Sequence, residues 1–167
     1  AAHLARENGH VLQTYLKQDL PHECEPPGTI LSPLTLNLAG VTVTPVSVSH
    51  YTADLAPDNS LETSYCCASF VIEVANSKAA LLWDIDSENE WLVRPRTAAQ
   101  EQAVALLSDA DLLIVDTTFW RRPTRKKTHP SFENVMRYAR TLQPRRTLLV
   151  HLSGHPDGPG NPGFGWT

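Results

Sequence analysis

The chain has 167 residues, 41% hydrophobic and 19% charged, with a formal net charge of -4 at pH 7. That length suits one core and is short for two, and the charge balance excludes a general attraction to nucleic acid or anionic membrane. Cys24, Cys66 and Cys67 are an odd set without CxxC spacing, which excludes a disulfide framework or cysteine zinc site and points to a reducing cytoplasm.

Residues 1–17 carry Leu4, Val11, Leu12, Tyr15 and Leu16 at helical spacing, and the spacing predicts a surface helix that stops at Asp19-Leu20-Pro21. Residues 22–33, rich in Pro and Gly, form a connector. Leu34 to Leu38 and Val41 to Val48 alternate apolar with polar residues, so two strands are expected around a hairpin turn at Ala39-Gly40. Residues 51–63 are polar and irregular, which predicts a loop lying over the site to which His50 belongs. Two further strands follow, Tyr65 to Val74 and Ala79 to Ile85, joined by a turn at residues 75–78. Residues 87–96 are a loop holding Trp91, and Thr97 to Leu107 has the spacing of a helix. Leu112 to Val115 reads as a buried strand ending on Asp116. A polar, basic stretch leads to a helix over Ser131 to Leu142, with Phe132, Val135, Met136, Tyr138 and Leu142 in phase, and to a last strand, Thr147 to Val150. No internal repeat, no coiled-coil heptad and no run of the ~20 apolar residues needed to span a bilayer is present.

Three apolar runs end on side chains that bind metals or move protons: His50 after the first, Asp84 and Asp86 after the second, His151 after the last. The carboxyl ends of strands are where α/β sheets carry their ligands, so these residues are candidates for one shared site. Each alone is most simply a hydrogen-bonded turn residue; the repetition at three strand ends is what favours a site. Neutral imidazoles with a carboxylate suit zinc, manganese or iron. A rival reading takes Asp84 and Asp86 as the DxD pair of a haloacid-dehalogenase-type phosphatase, although that motif belongs on a first strand and here at least three precede it.

The segments SVSH, LLWDIDSE, ADLLIVDTTF, HPSFENVMRYA and RTLLVHLSGH, in this order from about Leu34 to Asp157, resemble the carboxyl-terminal half of metallo-β-lactamase-fold hydrolases. The branch they are most similar to is that of the cyclic phosphodiesterases of phosphonate breakdown, with the transfer-RNA 3′-end nucleases further off. The resemblance implies an α/β protein, an αββα sandwich of which this chain supplies roughly the second half. It also implies two divalent metal ions, zinc, manganese or iron. His50 and His151 match ligands of one ion each, Asp86 matches the carboxylate that bridges both, and His129 matches a proton donor to the leaving group. Asp84 is expected to orient a ligand or cap a turn, Asp116 to hydrogen-bond a ligand imidazole or loop amides, and His155 to line the pocket mouth. The family's HxHxDH motif is absent from the sequence, so a chain cut at both ends is expected, with a degenerate copy of the fold as the alternative. The expected substrate is a small or cyclic phosphodiester, with neither nucleic acid nor membrane as partner, and an open apolar face makes a homodimer an expectation too. A hydrolase of thioesters, lactones or lactams and a non-catalytic domain of the same fold are the competing readings. The basic run Arg121, Arg122, Arg125, Lys126 and Lys127 is either a phosphate contact or a solvated loop.

Overall fold

The computed structural model describes residues 25–36, 38–50, 65–119 and 129–152, so the expected N-terminal helix, the loop over 51–63, the basic run and His155 lie outside the described residues. Among the described residues, five strands form one sheet in the order β1 to β5: β1 Val41–His50, β2 Tyr65–Val74, β3 Ser77–Leu82, β4 Leu112–Asp116 and β5 Thr147–Val150. The first three pair antiparallel, and β3, β4 and β5 pair parallel. β2 therefore runs against the other four, whose carboxyl ends share one edge of the sheet.

Local sequence explains most of the boundaries. The β2–β3 hairpin is tighter than expected: Val74 faces Ser77 across a two-residue loop, with Ala75 at φ 53°, so Lys78 belongs to the strand. The expected strand over Leu34 to Leu38 does not form. Leu31 N–H and Leu34 N–H donate to the carbonyls of Pro45 and Val43, but Pro45 has no N–H to return, and only an isolated bridge between Ile30 and Val46 results. Pro45 is tolerated because its nitrogen faces this irregular margin and not β2.

Helix α1, Ala98–Leu107, starts where the Thr97 side chain accepts from Gln100 N–H. Helix α2, Phe132–Leu142, opens on a capping box between Ser131 and Asn134 and ends at Gln143 in a left-handed conformation, φ 53°. Within the expected loop 87–96, Glu90–Leu92 forms a 3-10 turn that buries Trp91. Arg137 of α2 holds this turn with two parallel bonds to Glu90, 2.7 and 2.6 Å long.

Both helices cover the same sheet face. Val71, Ala80, Leu82, Leu113 and Val115 of the strands join Ala103 and Leu107 of α1 and Val135, Tyr138 and Leu142 of α2 in one core. Met136, placed in that stripe by spacing, is exposed instead, because the buried positions follow 135, 138 and 142. On the opposite face the register lines up Phe70, Leu81, Ile114 and Leu148, with Leu148 half exposed. No helix among the described residues is long and apolar enough to cross a membrane.

Candidate metal centre

Four strand ends meet at one edge. β1 ends on His50 and β4 on Asp116, Asp84 lies two residues past β3, and His151 follows β5 directly. Asp84 and His151 both have positive φ, 52° and 58°, so the backbone turns sharply at each and redirects the side chain toward the shared edge. A left-handed residue other than glycine is uncommon and concentrates at functional sites, since it is held there only by its surroundings. His129 arrives from outside the sheet. The stretch that carries it is tied to the end of β4, with Phe119 N–H donating to Pro130 O and Phe132 N–H donating to Phe119 O, 2.8 Å.

Asp84 is central. Its Oδ1 lies 2.9 Å from His50 Nε2 and 3.6 Å from Nδ1 of both His129 and His151. Asp116 is fully buried, and its Oδ2 accepts from both His129 Nδ1, 2.8 Å, and His151 Nδ1, 3.1 Å. The other oxygen, Oδ1, accepts from the backbone N–H and the hydroxyl of Thr118. The rings of His129 and His151 meet edge to face with centroids 4.7 Å apart, and His50 and His129 do so at 5.7 Å. One donor atom from each of Asp84, Asp116, His129 and His151 lies within 4.8 Å of the others.

Burial alone would push the His129 pKa down, but the hydrogen bond to Asp116 and the charges of Asp116, Asp84 and Asp86 outweigh it and hold the imidazole above its ordinary value. The Cys67 thiol, beside the Asp84 carbonyl, is pushed up by burial and then by the Asp84 charge.

His50, Asp84, His129 and His151 are brought together, and Asp116 with them. Asp86, expected to bridge two ions, stands outside the group. Its side chain is fully buried, and Oδ2 accepts from Ser49 Oγ at 2.6 Å while Oδ1 accepts from Glu88 N–H and Asn89 Nδ2. Burial raises its pKa, against which the Ser49 and Glu88 bonds act. The carboxylate thus organises the loop after β3, with Asn89 also bonding both Ser49 N–H and Ser49 O. The geometry also removes the DxD reading, because Asp84 and Asp86 do not face one site. Sequence reasoning missed Thr118 altogether; its only signal was a hydroxyl two residues beyond a strand-end acid.

The donor set fits a divalent transition ion. Imidazoles and carboxylates are the ligand types zinc, manganese and iron share, the donors converge, and the His151 ring has its Nδ1 on a buried carboxylate, as ligand histidines commonly do.

No curated protein matches the chain. Among solved structures it is similar to the metallo-beta-lactamase fold protein YhfI from Bacillus subtilis, at 18% identity over 72% of this chain and 39% of that one, TM-score 0.49. It is also similar to a diphosphatase from the PhnP family, at 19% identity over 87% of this chain and 42% of that one, TM-score 0.44. The chain thus spans about two fifths of the length of these structures. The profile of the beta-lactamase superfamily domain matches residues 11–152, which is most of the sequence. The chain belongs to the beta-lactamase superfamily.

Proposed function

We propose that this chain is the catalytic carboxyl-terminal part of a metal-dependent hydrolase that cleaves a small, cyclic phosphodiester. The observation that carries the reading is the placement of His129, an imidazole packed between His50 and His151 with its Nδ1 on buried Asp116. In this reading His50, Asp84 and His151 would hold two divalent ions, with Asp84 in place of Asp86 because its carboxylate is the one aimed at all three imidazoles. Divalent ions held there supply Lewis-acid chemistry, neutralising phosphoryl oxygens and acidifying water.

His129 carries the proton. The bond to Asp116 and the acidic neighbours raise its pKa and so favour the imidazolium, whose Nδ1–H is held by Asp116 and whose Nε2–H is the proton to be given. Transfer of the Nε2 proton to the departing alkoxide leaves a neutral ring still anchored through Nδ1, so the donor does not move as it reacts. A thioester hydrolase has no need of such a donor, because a thiolate departs unprotonated, whereas the alkoxide of a phosphodiester requires the proton.

The test is His129→Ala in the full-length protein. Metal content should stay intact while turnover of a 2′,3′-cyclic nucleotide, whose leaving group is an alkoxide, falls by about 10² or more. The loss should be smaller with bis-p-nitrophenyl phosphate, whose phenolate leaves with little protonation. Equal, small losses on both substrates would overturn the assignment.

A further inference from the structure

We propose that Thr118 is a positioning residue that locks both site imidazoles at once, through the Asp116 carboxylate and through the backbone of His151. Thr118 is nearly fully buried just beyond β4. Its Oγ1 lies 2.9 Å from Asp116 Oδ1 and 3.0 Å from the carbonyl oxygen of His151. Both neighbours are acceptors, so the single hydroxyl proton is shared between the two or alternates between them. Thr118 N–H adds a bond to the same Asp116 oxygen at 3.1 Å.

The consequence is a division of labour across one carboxylate. Oδ1 is saturated by Thr118, and Oδ2 is left to receive Nδ1–H from both His129 and His151. Each ring is thereby fixed as the tautomer that keeps Nε2 free for chemistry or metal. The second contact acts on the backbone. His151 turns through φ 58°, which exposes its carbonyl away from the strand ladder, and the Thr118 hydroxyl is the donor that meets it. The neighbouring amide of Thr117 donates to Val150 O at 2.9 Å, so the turn is pinned at two successive carbonyls. One side chain therefore ties the end of β4 to the end of β5, and with it the direction of two rings.

The role deepens the phosphodiesterase reading and rests on it for its meaning in turnover, but the decisive readouts need no activity. The first is the ring nitrogen spectrum of the full-length, metal-free protein, with nitrogen-15 histidine, above the titration of both rings. Both His129 and His151 should show Nδ1–H, and Nε2–H in either would overturn the proposal. The second is Thr118→Val, which keeps volume and the backbone N–H and deletes the hydroxyl. Mixed tautomers and zinc affinity weaker by about tenfold, measured against a competing chelator, are expected. Thr118→Ser should restore both. If Val matches the wild type, or if Ser is as impaired as Val, the hydroxyl is not the positioning group. Should Val fail to fold, the Ser variant and the wild-type tautomers still decide. Correct tautomers and zinc affinity with no turnover of any phosphodiester would sink the proposed substrate and leave this role standing.

Discussion

Exchanging the two neighbouring carboxylates separates site from scaffold. Asp84 is about half exposed at the centre of the imidazole group, in a left-handed turn that Asn adopts readily. Asp84→Asn should leave unfolding free energy within about 0.5 kcal/mol of the wild type, as expected for a partly exposed isostere. It should also weaken metal binding by at least about 100-fold, since even outer partners of a ligand cost 10- to 100-fold. Asp86→Ala should do the reverse. It strips a fully buried acceptor from Ser49 Oγ and Glu88 N–H, while Asn89 Nδ2 keeps Ser49 O and the residue 86 carbonyl. At roughly 1 kcal/mol for each of the two orphaned donors, the loss is on the order of 2 kcal/mol, offset in part because the burial that raises the Asp86 pKa is relieved. Urea denaturation of the metal-free proteins gives the stabilities, and metal per chain after dialysis gives the binding. Loss of metal with an unchanged denaturation midpoint in Asp86→Ala, with metal retained in Asp84→Asn, would refute the assignment of the two residues.

Two other outcomes test the frame that holds the site. Gly28 sits at φ +91°, and a Cβ there would meet Gln100 Cγ at 2.5 Å and Gln100 Cα at 3.3 Å. Gly28→Ala should therefore cost about 2 kcal/mol in urea denaturation and loosen the Gln100 bond to Pro27 O; an unchanged midpoint would show that this margin does not support the sheet. At the opposite end of the sheet, Lys78 N–H and then the Arg145 guanidinium hold the Asp111 carboxyl below its ordinary range. A carboxyl lowered in the folded state adds stability that is complete above its unfolded pKa, near 4, and is lost as pH falls through the folded value. Asp111→Asn should remove that part of the acid decline, measured as denaturation midpoint against pH below about 4, and an identical decline would count against the contact.

How far the sequence carried the reading depends on what set each boundary. Both helices were legible because Thr97 and Ser131 cap an apolar rhythm that runs to Leu107 and Leu142. The strands were legible as short apolar runs, and their ends gave His50, Asp116 and His151. The margin before β1 was not, because alternation in Leu34 to Leu38 mimics a strand while Pro45 breaks the ladder it would need. The Asp84–Asp86 exchange has a similar cause. Hydrophobicity continues to Ile85, which is fully buried, so the sequence pattern extends the strand and points to Asp86. The parallel pairing with β4 stops at Leu82 opposite Val115, and the turn at Asp84 then sends that carboxylate to the site and Asp86 inward. No local pattern records where a neighbouring strand ends.

The same sheet order explains why residues so far apart in sequence form one group. Two hairpins and two helical crossovers leave β1, β3, β4 and β5 running in one direction, so four carboxyl ends collect at one edge without any strand leaving the sheet. Adjacent ends of β3, β4 and β5 are separated by about 5 Å, which suits direct contact between Asp84, Asp116 and His151. His50 is different, because β2 lies between β1 and β3 and sets their backbones about 10 Å apart. The 2.9 Å contact from His50 to Asp84 closes that gap where the chain leaves β3 in a left-handed turn and Asp86 N–H donates to Ser49 O. The turn at Asp84, together with the bonds of Asp86 and Asn89 to Ser49, thus joins the end of β1 to the end of β3 at the site. His151, the other left-handed end, needs a donor for its displaced carbonyl, and Thr118 supplies it. Backbone strain at two ends, each met by a specific partner, is therefore how a regular sheet presents an irregular cluster of donors.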